Sequence, residues 1–186
     1  MRFSSSISCL ILMALVLVDQ GFAQTIDKTE TQQVKQLAKQ MAQATKSGDY
    51  KKIIGLTYDK VVENLGGQEK ALETVQQQME GLKQQGVKIT QFQVRDPKPM
   101  VNSTDHQFVL LPTQTTMEIG NVTVQMDSYL LGISADQGKT WKFVDGAGLA
   151  SEDQQKKILP PLPEKFQLPA PKQPKIQRDN KSRDDQ

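Results

Sequence analysis

Three carboxylates in this 186-residue chain stand beside an aromatic or apolar neighbour: Asp59 follows Tyr58, Asp127 precedes Tyr129 by two positions, and Asp145 follows Val144. Acid–base chemistry of the isomerase kind needs a carboxylate in an apolar pocket opposite a hydrogen-bond donor, because burial is what raises its pKa into a useful range. Asp127 and Asp145 fall near the ends of expected strands, where a solvated carboxylate or a turn cap is the more ordinary reading, so no catalytic residue is assigned. The single histidine, His106, follows a turn in NSTDHQFVLL and reads as a solvated residue. With one cysteine, Cys9, and one histidine, the chain offers no set of ligands for a transition metal, and no cofactor is expected. The remaining chemical spacing is Ser134, Asp136, Gly138, Thr140 and Trp141 within ISADQGKTWKFVDG. An Asp there can accept hydrogen bonds from the following turn, the glycine tolerates positive φ, and the Thr-Trp pair starts a return strand.

The compartment of these residues is indicated by the start of the chain. Arg2, the apolar run Cys9 to Val18, and the small residues around Gly21-Phe22-Ala23 have the order of a secretory signal peptide cleaved after Ala23. Residues 1–23 are therefore read as the signal and the mature chain as secreted or periplasmic, without a stable membrane anchor after cleavage. It would contain no thiol, so its core alone must hold it. Six Lys and Arg against three Asp from Lys165 onward supply the net positive charge, while residues 24–164 are close to neutral. A near-neutral body with mixed charges is no footprint for nucleic acid.

Periodicity supplies the elements that must position the candidates. Val34, Leu37, Met41 and Ala44 predict an amphipathic helix over 28–47, closed by Ser47-Gly48-Asp49, and Asp49 can cap a second helix through Ile53, Ile54 and Leu56. Residues 57–65 fit a strand or a helical continuation, and Leu72, Val75, Met79 and Leu82 predict a third helix ending at Gly86. After Gly86 the period changes to two. Strands follow at 87–94, where Gln91 breaks the alternation, at 107–116, where Pro112 suggests an edge or bulge, at 122–133 after a Gly120-Asn121 turn, and at 141–144. Three helices and then about four antiparallel strands make an α+β fold over 24–160. Residues 161–186, rich in proline and charge, read as a flexible tail whose first part can dock.

The spacing S-x-D-x-G-x-T-W resembles the Asp-box hairpin of sialidases and other β-propellers, but here it occurs once instead of once per blade. Its four polar members are accordingly read as a structural turn. On a larger scale, SGDYKKIIGLTYDKVV, a GG, a helix, and strands ending GKTWKFVDG resemble the nuclear transport factor 2-like superfamily, which includes ketosteroid isomerases, in an exported bacterial form. The resemblance covers roughly residues 29–150 and implies helices on a curved antiparallel sheet, a cone with an internal pocket. Such folds serve enzymes and non-enzymatic binding domains alike.

Residues by type and position suited to line or underlie that pocket are Tyr58, Met79, Phe108, Leu110, Met126, Tyr129, Leu131, Trp141 and Phe143. Trp141 and Tyr129 carry polar atoms that need partners if buried. The sequence thus reads as an exported non-catalytic binding domain for a small apolar or amphipathic ligand or a partner protein. The alternative is an isomerase- or hydrolase-like enzyme using a pocket carboxylate. A homodimer and a cell-envelope contact through the tail are further partner classes left open.

Overall fold

In the computed structural model, which describes residues 28–178, α1 (Lys28–Ser47) lays Val34, Ala38, Met41 and Ala44 along one buried stripe. It ends where Gly48, at φ 75°, turns the chain so that the Asp49 amide reaches back to the Ala44 carbonyl at 3.0 Å. That six-to-one closure satisfies a terminal carbonyl that would otherwise have no helical partner. Asp49 then caps α2 (Tyr50–Leu56) by accepting from the Lys52 amide at 3.1 Å. The ambiguous stretch after it resolves as a helix, α3 (Asp59–Asn64), followed by α4 (Gln68–Gln84). The expected signal peptide, 1–23, lies outside the described residues. None of the described helices is long and apolar enough to cross a membrane.

The sheet is antiparallel and curled. Strands β1 (Val87–Val94), β3 (Gln107–Ile119), β4 (Val122–Ser134) and β5 (Lys142–Asp145) lie in that order, and the two-residue β2 (Val101–Asn102) pairs with β3 beyond the end of β1. The ribbon of β3 and β4 pairs from Ile119 with Val122 to Gln107 with Ser134. The break at Gln91 is a bulge: the register shifts between Ile89 and Gln91, and the Thr90 hydroxyl donates to the Thr116 carbonyl at 3.3 Å. Pro112 sits just past the last β1 partner, Thr113. Its carbonyl accepts from the Arg95 amide at 2.9 Å, so its nitrogen faces the same side, where β1 has ended and no ladder bond is lost.

Alternation along β3 and β4 builds two apolar faces. Val109, Leu111, Leu130 and Phe143 pack with the α1 stripe, Ile53 and Trp141 on one face. Phe108, Leu110, Tyr129, Leu131, Ile133 and Val144 form the other. This second face is covered by Tyr58 and Val61, by Leu149 of the 3-10 turn Gly146–Leu149, by Ile158 at the end of α5 (Glu152–Ile158), and by an extended strap carrying Leu159, Leu162, Phe166 and Leu168.

Of the segment 161–186 read as a flexible tail whose first part can dock, the described part, 161–178, packs on the sheet. The Phe166 ring lies 5.6 Å from the Phe108 ring, centroid to centroid, and the chain ends in β6 (Lys175–Arg178), paired with Val122–Gln125 of β4. Proline density did not prevent docking, because a segment without amide hydrogens at Pro160, Pro161 and Pro163 leaves few donors to satisfy on an apolar surface. Among the described residues the sheet thus has six strands where about four were expected.

Candidate functional site

Both β5 and β6 lie along the edge of β4 that faces away from β3. Pairing with β5 spans Leu130–Ile133 and pairing with β6 spans Val122–Gln125, so Met126, Asp127, Ser128 and Tyr129 between them have no strand on that side. A cleft of about 760 Å³ opens there. Leu110, Pro112 and Tyr129 contribute apolar surface from the face of the ribbon; Pro112 and Tyr129 are directly opposed across it. The 3-10 turn contributes Gly146 and Ala147, with Ala150 after it, and the strap contributes Pro169 to Lys172. Arg95, Asp96 and Lys98 enter from the outer edge of β3, where the Lys98 amide donates to the Leu110 carbonyl at 2.8 Å.

Asp127 is the carboxylate on the ribbon within this lining. It accepts from the Gln114 side-chain amide at 2.9 Å and lies 3.6 Å from the Arg95 guanidinium. The Gln114 hydrogen bond, with the positive fields of Arg95, Lys175 and Lys172, holds its carboxyl below the usual carboxylate range against a smaller desolvation. Tyr129 is 6% exposed, and burial followed by the nearby Asp145 charge raises its phenol pKa. Asp145 behaves oppositely to Asp127. Although the residue reaches solvent, packed atoms around its carboxylate raise its pKa, partly offset by the Ala147 amide that donates to it at 2.8 Å. This carboxylate caps the 3-10 turn. Asp59 is exposed, 3.8 Å from Lys142.

The other expected pocket residues are distributed over the whole fold. Met126 and Tyr129 line the cleft, while Met79 lines a separate cavity of about 200 Å³ beside α4 and β1. Phe108, Leu131, Phe143 and Trp141 are sealed in the two cores, and Tyr58 packs half-buried against the second. Burial also raises the Tyr58 phenol pKa, with Asp59 adding to it. Trp141 is 2% exposed with no hydrogen-bond partner for its indole nitrogen. His106 stacks at 6.0 Å on Phe108, and among the described residues no cluster of three His, Cys, Asp or Glu side chains could hold a metal.

The Ser-Asp-Gly-Thr hairpin is closed on itself. The Asp136 carboxylate accepts from the Thr140 amide at 2.8 Å, the Thr140 hydroxyl at 2.7 Å and the Ser134 hydroxyl at 2.8 Å. Ser134 accepts in turn from the Gly138 amide at 2.8 Å. The bonds from Thr140 lower the Asp136 pKa, and Gly138 takes φ 83°. The Asp136 carboxylate and the Ser134 hydroxyl are thus engaged within their own turn.

Sequence reasoning missed Arg95, Lys98, the 3-10 turn and the strap as lining, because the first three lie between or after the predicted strands and the strap lies in the segment read as a tail. Compared with protein-family models, curated proteins and solved structures, the chain matches none.

Proposed function

We propose that this is an exported, non-catalytic binding domain that takes a small apolar or amphipathic ligand in the cleft beside Met126–Tyr129. The observation that carries the reading is the cleft itself, whose volume of about 760 Å³ falls in the range of small-molecule sites and whose walls are mainly apolar. The electrostatics support binding over acid–base catalysis: Asp127 is held ionised, whereas a general base working near neutrality needs a raised pKa. Helices followed by a curled antiparallel sheet are compatible with the architecture of the nuclear transport factor 2-like superfamily. Export in this reading rests on the N-terminal pattern.

The test uses N-phenyl-1-naphthylamine, a neutral apolar probe whose fluorescence rises on burial. Saturable binding should occur in the wild type and be lost in Ala147→Trp and in Ala150→Trp, both exposed lining positions that a large ring would fill. Absence of binding, or equal binding in both folded variants, overturns the reading.

A further inference from the structure

An apolar ligand alone leaves the charge of this cleft unused. Arg95, Lys98 and Lys172 line it, and Lys175 of β6 is near enough for its field to act on Asp127. Against them the lining holds two carboxylates. Asp96 is engaged by Lys35 of α1, and Asp127 is shared between Gln114 and Arg95. Lys98 and Lys172 have no acidic partner among the described residues. Positive charge is therefore in excess beside the apolar floor of the cleft.

The backbone fixes where those charges stand. Amides of Arg95 and Lys98 bond to the carbonyls of Pro112 and Leu110, which pins the loop to the outer edge of β3. Lys172 follows Pro169-Ala170-Pro171 at the other edge, beyond β4, just before β6 begins. Cations thus approach the floor of Leu110, Pro112 and Tyr129 from both sides of the ribbon, and the Arg95 guanidinium already reaches across it to Asp127.

Resting on the binding reading above, we propose that the ligand is an amphipathic anion, its apolar part on Leu110, Pro112 and Tyr129 and its acidic head among Arg95, Lys98 and Lys172. The head replaces solvent around Lys98 and Lys172, which pair with no carboxylate among the described residues, and basic side chains above an apolar floor discriminate against neutral and cationic analogues. Asp127, on the ribbon itself, is the like charge the head meets at the floor.

Decanoate and decanol, alike in chain and different in head, separate the two components by displacement of N-phenyl-1-naphthylamine from the full-length mature chain. Decanoate should bind more tightly, and Lys98→Gln with Lys172→Gln should weaken it roughly tenfold, as the loss of two exposed ion pairs implies, while decanol is unchanged. Asp127→Asn should act with the opposite sign and tighten decanoate. Vesicles of phosphatidylglycerol distinguish the source: competition abolished by the same lysine changes indicates a lipid head, and no competition indicates a soluble acid. Equal displacement by decanoate and decanol, or decanoate affinity untouched by the lysine and Asp127 changes, overturns the anion proposal while the cleft still binds the neutral probe. Failure of the neutral probe itself would instead remove the binding reading beneath it.

Discussion

The two faces of the sheet are closed by different kinds of chain. On one, α1 and α2 bring a helical stripe onto Val109, Leu111, Leu130 and Phe143, and the result is a sealed core in which Val34, Ala38 and Phe143 are wholly buried. On the other, α3, the 3-10 turn, α5 and the strap cover Phe108 and Leu131 but stop short of the stretch around Asp127. A helix satisfies its own amides and can lie as a continuous layer, whereas an irregular segment covers only where it has apolar anchors such as Phe166 and Leu168. The cleft is what remains between the last anchor and β6.

The sealed face should be the more costly to damage. Trp141→Ala removes a 2% exposed ring from the helix-covered core and should destabilise the protein by about 3–5 kcal/mol, read as a shift in denaturation midpoint. An unchanged midpoint would break the contrast at once. Ending the chain at Glu164 strips Phe166 and Leu168 from the other face; both are half-buried, so a loss of about 2–3 kcal/mol is expected, with a melting temperature lower by about 2–4 °C per kcal/mol. Ending it at Pro171 removes Lys172 to Gln186, in which β6, with four exposed residues, is the one described element, and should cost less than about 1 kcal/mol. Equal melting temperatures for all three chains would mean that the strap holds nothing.

A finer probe lies at the cleft wall. A Cβ at Gly146 would come within 2.7 Å of the Tyr129 ring, so Gly146→Ala must displace that ring. A loss of about 1–2 kcal/mol is expected, as for overpacking in general, together with weakened binding of the neutral probe. Stability and binding both unchanged would show that Tyr129 moves freely and does not shape the site.

The same contrast explains what could be read from the sequence. The helix-covered face was legible: the stripe of Val34, Met41 and Ala44, the stop at Gly48 and the cap at Asp49 are local signals, each acting within a few residues. The break at Gln91 likewise announced the bulge beside it, since an extra residue must interrupt a period of two. Residues 57–65 were ambiguous because Tyr58, Val61, Val62 and Leu65 suit either period; a long-range bond from the Tyr58 amide to the Phe143 carbonyl holds the start of the helix at the sheet edge. Strand alternation showed that β3 and β4 have two apolar sides but not what covers each, so Phe108, Leu131 and Phe143 were grouped as residues to line or underlie a pocket, and they lie in the two cores. The cleft depends on a gap between β5 and β6, and β6 has no apolar pattern to reveal it. Its residues pair through the backbone, which any sequence short of proline can do.

The smallest expected effect separates Asp127, which lines the cleft, from Asp145, which caps the 3-10 turn beside it. Asp127 has its pKa lowered in the folded state, first by the Gln114 hydrogen bond, so its ionisation contributes stability above the unfolded value near 3.8 that is lost as pH falls through the folded value. Asp145 has its pKa raised by desolvation, so its contribution is complete below 3.8 and is lost as pH rises through the folded value. Asn at either position removes the titration but keeps an acceptor, for Gln114 in one case and for the Ala147 amide in the other. Measured between about pH 3 and 6, where carboxylates titrate, Asp127→Asn should lose ground to the wild type as pH rises, and Asp145→Asn should gain it. Opposite slopes sharpen the distinction between a carboxylate held ionised by donors at the cleft and one whose carboxyl is desolvated where it caps the 3-10 turn. Slopes of the same sign would show that the two share one environment, and the division of this face into a covered part and an open cleft would then have to be redrawn.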